Sequence, residues 1–73
     1  MTGNEFIRKI KKSGRKNKVP VEFDVRRGKG SHGTLTYGER FTIIRNAKDE
    51  LKTGTLQAML DQLGLTIDDL NNL

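Results

Sequence analysis

The spacing of apolar residues changes twice along this chain, and those two changes fix the order of its elements. Phe6, Ile7 and Ile10 fall on one face of a helical period, with Arg8, Lys9, Lys11 and Lys12 around them. From Val19 the period becomes two. Val19, Val21, Phe23 and Val25 alternate with Pro20, Glu22, Asp24 and Arg26, the pattern of a half-buried strand. Residues 32–37 predict a second strand, with Leu35 and Tyr37 on one face and Thr34 and Thr36 on the other. Arg40 to Arg45 predicts a third, in which Phe41 and Ile43 share a face and Ile44 opposes them. The helical period returns at Leu56, Met59, Leu60 and Leu63.

Punctuation residues agree with this order. Thr2 and Glu5 form a T-x-x-E capping box at the first helix start, and Gly14 is placed to end that helix. Gly28 to Gly30 makes the first turn between strands, and Tyr37-Gly38-Glu39 the second. Residues 46–52 read as a polar loop. Thr53 or Thr55 is expected to cap the last long helix, which Gly64 ends. Thr66 caps a short helical turn with Asp68 and Asp69 at its positive end. The expected fold class is α+β, ordered α-β-β-β-α: a three-stranded antiparallel meander packed on two helices, with a short C-terminal helical turn. Its expected core comprises Phe6, Ile10, Val21, Phe23, Leu35, Phe41, Ile43, Leu56, Met59, Leu60 and Leu63.

With 73 residues there is room for one small domain, expected to span 1–73, and no second core. A working surface on such a domain is shallow. The absence of cysteine excludes disulfides and thiolate metal sites and suits a reducing cytosol, so a cytoplasmic location is expected. No apolar run reaches the roughly 20 residues of a membrane span, and no membrane partner is expected.

The formal net charge is +5, unevenly placed. Residues 1–36 hold ten Lys/Arg against three Asp/Glu, whereas residues 37–73 hold four against six. Such asymmetry fits a basic face meeting a polyanion, and it fits an acidic protein equally well. Arg8, Lys9, Lys11, Lys12, Arg15 and Lys16 form either an RNA-binding ridge or a solvated helix face.

The only histidine, His32, lies in a basic, glycine-rich turn, Arg26-Arg27-Gly28-Lys29-Gly30-Ser31-His32-Gly33. Histidine exchanges a proton near neutral pH. The glycines leave the backbone open to close approach, and the cations attract phosphate. Gly28-x-Gly30-x-x-Gly33 matches a dinucleotide-binding spacing, but here the glycines link two strands rather than a strand and a helix, so that reading is rejected. One histidine without cysteine forms no usual zinc site, and neither a metal nor another cofactor is expected. Ser31 and His32 point opposite ways along a strand, which excludes a serine nucleophile beside its base and leaves Ser31 to the turn or to a phosphate. RNA carries its own nucleophile, the 2′-hydroxyl. A nuclease therefore needs only a base, positive charge on the phosphorane, and a proton for the leaving oxygen. For His32 both readings stand at this point: general base, or turn residue touching phosphate.

Taken in order, these residues resemble the HicA-type toxins, small messenger-RNA-cleaving partners in toxin–antitoxin pairs. The resemblance rests on the helix Phe6 to Gly14, on Gly30-Ser31-His32 opening the second strand, on Glu50-Leu51-Lys52-Thr53-Gly54-Thr55-Leu56 with Leu60, and on Gly64-Leu65-Thr66 with Asp68-Asp69. It implies a double-stranded-RNA-binding-like fold, His32 as the catalytic residue of a metal-independent endoribonuclease, and a cognate HicB-type antitoxin covering the active surface. Single-stranded messenger RNA is the implied substrate, with Arg26, Arg27, Lys29, Gly30, Ser31, Lys48 and Lys52 as its expected contacts. The chain departs from the family pattern at Gly33, where many members carry a bulky residue. It departs again at Asn46-Ala47-Lys48-Asp49, where many carry proline and a second histidine. The alternative function is a non-catalytic RNA-binding module of the same fold. The Lys-Lys cluster with which that fold contacts duplex phosphates is reduced here to Lys52.

Overall fold

The computed structural model describes residues 1–25 and 32–73. Helix α1 spans Gly3–Asn17, strands β1 to β3 span Val21–Val25, Gly33–Tyr37 and Arg40–Ile44, and helices α2 and α3 span Thr53–Leu63 and Ile67–Asn71. The strands form one antiparallel sheet in the order β1-β2-β3. Helix α1 packs against β1 and β2, α2 against β3, and α3 against α1. Both long helices cover the same face of the sheet, and the other face is left open.

Helix α1 begins as its sequence requires. The Glu5 N–H donates to Thr2 Oγ1 (3.2 Å) and the Thr2 N–H donates to Glu5 Oε1 (2.9 Å). Two further first-turn donors find backbone carbonyls in the segment after β3. The Gly3 N–H reaches the Asp49 oxygen (3.1 Å) and the Asn4 N–H the Ala47 oxygen (2.7 Å). An isolated bridge pairs Thr2 with Glu50, the Leu51 N–H donates to the Met1 oxygen (2.8 Å), and the Met1 ammonium pairs with the Glu50 carboxylate. Residues 46–52 are thus strapped across the start of α1, a connection that the polar sequence alone does not suggest.

Gly14 does not end α1. The helix continues to Asn17 and turns at Lys18, which adopts a left-handed conformation (φ 58°). Gly14 is buried where α1 crosses the start of β1, and a Cβ there would lie 2.3 Å from Val21 Cγ2 and 2.7 Å from the Val19 oxygen. The glycine therefore serves close approach, and its carbonyl accepts from the Lys18 and Val19 N–H groups. The cap of α2 differs too. Lys52 occupies the N-cap position in extended conformation without a side-chain cap bond, and Thr53 already lies inside the helix. Gly64 ends α2 as expected, and Thr66 caps α3 in a second capping box with Asp69.

The core contains Phe6, Ile10, Leu35, Met59, Leu60 and Leu63 as expected, and adds Ile7, Tyr37, Ile44, Leu65 and Leu70. Val21, Phe23 and Leu56 pack against it half-buried. Strand β3 corrects the expectation. Phe41 and Ile43 are 58% and 45% exposed, whereas Thr42 and Ile44 are buried. The register explains this. Thr42 pairs with Leu35 and Ile44 with Gly33, so both share the helix-covered face of Leu35. The Thr42 hydroxyl donates to Gln62 Oε1 of α2 (2.5 Å), which satisfies its polar group at the interface.

Candidate functional site

His32 immediately precedes β2, the middle strand, and is exposed. Its neighbour Gly33 pairs with Val25 on one side and Ile44 on the other, so the histidine stands at the end of the sheet where β1 and β3 finish. Strand alternation groups position 32 with Thr34 and Thr36, on the face away from the helices. That face also presents Glu22 and Asp24 from β1 and Phe41 and Ile43 from β3. Among the described residues His32 has no hydrogen-bond or ion-pair partner, and it is exposed.

Gly33 fixes the backbone beneath His32. A Cβ there would come within 2.6 Å of both Cε1 and Cζ of Phe23, and within 3.1 Å of the Asp24 oxygen. The Phe23 ring occupies the space that a larger residue would need. The departure from the family pattern at this position therefore has a local cause in the packing of β1 on β2.

Arg26, Arg27, Lys29, Gly30 and Ser31 lie outside the described residues, as does the Gly28 to Gly30 turn. Lys48 and Lys52 are exposed on the segment strapped over the α1 start. Lys52 also lines an open groove of about 680 Å³ between the end of β3 and the first turns of α2. Arg45 and Asn46 form the groove's rim beside Ile44, the register partner of Gly33. The groove is of mixed charge, because Asp49 and Glu50 line it as well. Arg45 was not expected at the site. Its signal was available in the antiparallel order, which brings the end of the third strand beside the start of the second. The α1 cations Arg8, Lys11, Lys12 and Arg15 are exposed on the outer surface of that helix. No helix among the described residues is long and apolar enough to cross a membrane.

An α-β-β-β-α sheet, covered by helices on one face and carrying an exposed histidine at the head of its middle strand, defines a small α+β domain like those that bind double-stranded RNA. The family model described as HicA toxin of bacterial toxin–antitoxin matches residues 3–65. The chain belongs to the HicA toxin family. Membership makes it a toxin of a toxin–antitoxin system, with an antitoxin as its partner. No curated protein and no solved structure matches the chain.

Proposed function

We propose that this chain is a metal-independent endoribonuclease that cuts messenger RNA and so blocks translation and growth. The observation that carries the reading is His32: the sole histidine, exposed and unpartnered among the described residues, at the head of the middle strand of a HicA-family fold. Neutral His32 takes the proton of a 2′-hydroxyl as that oxygen attacks the adjacent phosphorus in line. The P–O5′ bond breaks, leaving a 2′,3′-cyclic phosphate and a 5′-hydroxyl. The leaving oxygen takes its proton from water, from a lysine, or from the imidazolium formed in the first step. Arg26, Arg27 and Lys29, adjacent in sequence, supply positive charge to the phosphorane. Gly30 and Ser31 offer backbone and hydroxyl donors, and Lys48 and Lys52 hold flanking phosphates. The lack of cysteine suits the reducing cytoplasm in which messenger RNA is found.

The antitoxin, of the HicB type, inhibits by covering His32. The deciding experiment incubates single-stranded RNA with wild type and His32→Ala in EDTA. Cleavage by the wild type alone, ending in cyclic phosphate and blocked by a 2′-deoxy substitution at the scissile position, is expected. Wild-type rates from His32→Ala, or loss of wild-type cleavage in EDTA, would overturn the His32 mechanism, and RNA binding without cleavage by the wild type would leave the chain as an RNA-binding module.

A further inference from the structure

Between positions 8 and 18 the chain carries seven cations: Arg8, Lys9, Lys11, Lys12, Arg15, Lys16 and Lys18. The proposed cleavage chemistry uses none of them. The lone acid of α1, Glu5, is committed to the capping box with Thr2. Among the described residues the one ion pair joins Met1 to Glu50, so no cation of this row is ion-paired, and the carboxylate whose field reaches the row is that of Glu5, one turn before Arg8. Lys16 alone of the seven is bonded, donating to the Asn72 oxygen (2.9 Å). Pairs such as Arg8–Lys12 and Lys11–Arg15 are four residues apart, and such like-charged neighbours weaken a helix. Arg15 and Lys16 in the last turn complement the helix dipole, but helical stability does not account for the cations upstream of them.

We infer that the outer face of α1 is a second contact surface for the RNA backbone, apart from the cleavage site. The inference rests on the ribonuclease reading for its substrate class. Arg8, Lys12 and Arg15 lie at i, i+4 and i+7, a single line along the helix. They border a shallow groove of about 410 Å³ between α1 and the end of the chain, with Leu70, Asn71 and Leu73 opposite and Glu5 beside Arg8 at one end, so the cations outnumber the one acidic side chain there. The chemistry of the surface selects its partner. Stable protein interfaces are built around desolvated apolar or aromatic anchors. Helix α1 exposes none; the exposed large apolar residues among those described are Val25, Phe41, Ile43 and Ile67. Phosphate contacts require only positioned cations.

The start of the ridge and His32 lie toward the same end of the sheet but on opposite sides of it, so a strand engaging both passes around that end. The start of α1 is bonded to Ala47 and Asp49, which follow β3, and the end of β3 pairs with the residue after His32. Exposed Lys48 lies on that strap, between the two surfaces. From Arg8 to Arg15 the helix rises about 10 Å. An RNA held on both surfaces is therefore longer than its scissile dinucleotide.

The test uses Arg8→Gln/Lys12→Gln/Arg15→Gln in a His32→Ala background, so that RNA is bound without being cut. Affinity for a labelled single-stranded 20-mer is measured across a salt series. Three lost phosphate contacts flatten the slope of log affinity against log salt by about 2, at about 0.7 per contact. Arg15→Gln alone flattens it by about 0.7. In the active chain, the triple variant lowers kcat/KM on the 20-mer and leaves that on a trinucleotide unchanged. A slope unaltered in both variants overturns the ridge, and so does weakened antitoxin binding with RNA binding intact. The binding slopes do not depend on His32 being catalytic, so cleavage by His32→Ala would sink the mechanism and not this surface. A wild-type chain that binds no RNA would sink both.

Discussion

His32 and Gly33 act as a pair: one offers an imidazole to solvent, and the other sets the backbone that carries it. His32→Ala should lower the cleavage rate about 10²–10⁴-fold, the usual contribution of a general base, while RNA affinity persists. Single-turnover kinetics beside a binding isotherm checks both halves. At Gly33, valine would drive atoms into the Phe23 ring, already 2.6 Å from an added Cβ. Overpacking of this kind costs about 1–3 kcal/mol, and Gly33→Val should melt earlier as well as cut more slowly. At the other end of the chain, Glu5 has its carboxyl held below the usual range by the Thr2 backbone N–H, then by the Thr2 side chain. A depressed carboxyl adds stability above its unfolded pKa, and that stability is lost as pH falls through the lower folded value. Glu5→Gln should therefore flatten the acid limb of stability below about pH 4.3, as urea midpoints between pH 5 and pH 2 would show. The T-x-x-E box was legible because its partners are three residues apart. The reason for Gly33 was not, because its neighbour Phe23 is brought there only by the pairing of β1 with β2.

At the level of elements, periodicity named the two long helices and the three strands among the described residues, and it failed on which face of β3 is buried. Two apolar residues at 41 and 43 outweigh one at 44 in a count along the strand. Pairing decides otherwise, because Thr42 lies opposite Leu35 and can bond Gln62 on the α2 side. Two helix ends differ from the sequence expectation for a related reason. Gly14 looks like a terminator in one dimension, but in three it is where Val21 needs room. The α2 cap went to Lys52 because the 46–52 strap brings the chain in extended, so that Thr53 is already helical. The β3 correction has a measurable consequence. Ile44→Ala should cost about 2–5 kcal/mol, as large-to-small changes in a core do. Phe41→Ser, on the open face, should stay within about 0.5 kcal/mol of wild type. Equilibrium denaturation separates the two, and the reverse ranking would restore the apolar count as the better guide.

At the scale of the whole molecule, the two sides of this small domain differ in kind. The α1 side is a dense row of cations with no exposed apolar anchor. The open sheet face joins Phe41 and Ile43 to threonines and to the acidic pair Glu22 and Asp24, so a partner on it meets apolar and acidic groups together. Net basicity alone would send an acidic antitoxin to the α1 side. Inhibition by covering His32 sends it to the sheet, because position 32 alternates with Thr34 and Thr36 on that face. The two routes can be told apart. If the antitoxin covers His32, complex formation should protect this sole histidine from diethyl pyrocarbonate. Phe41→Ser should then weaken the complex about 10-fold or more, the effect of an interface anchor worth over about 1.4 kcal/mol. The Arg8→Gln/Lys12→Gln/Arg15→Gln variant should mainly slow association at low salt, since charges outside an interface steer encounter more than they hold the complex. Full histidine reactivity in the complex, together with an undiminished affinity of Phe41→Ser, would place the antitoxin elsewhere and require inhibition without direct masking.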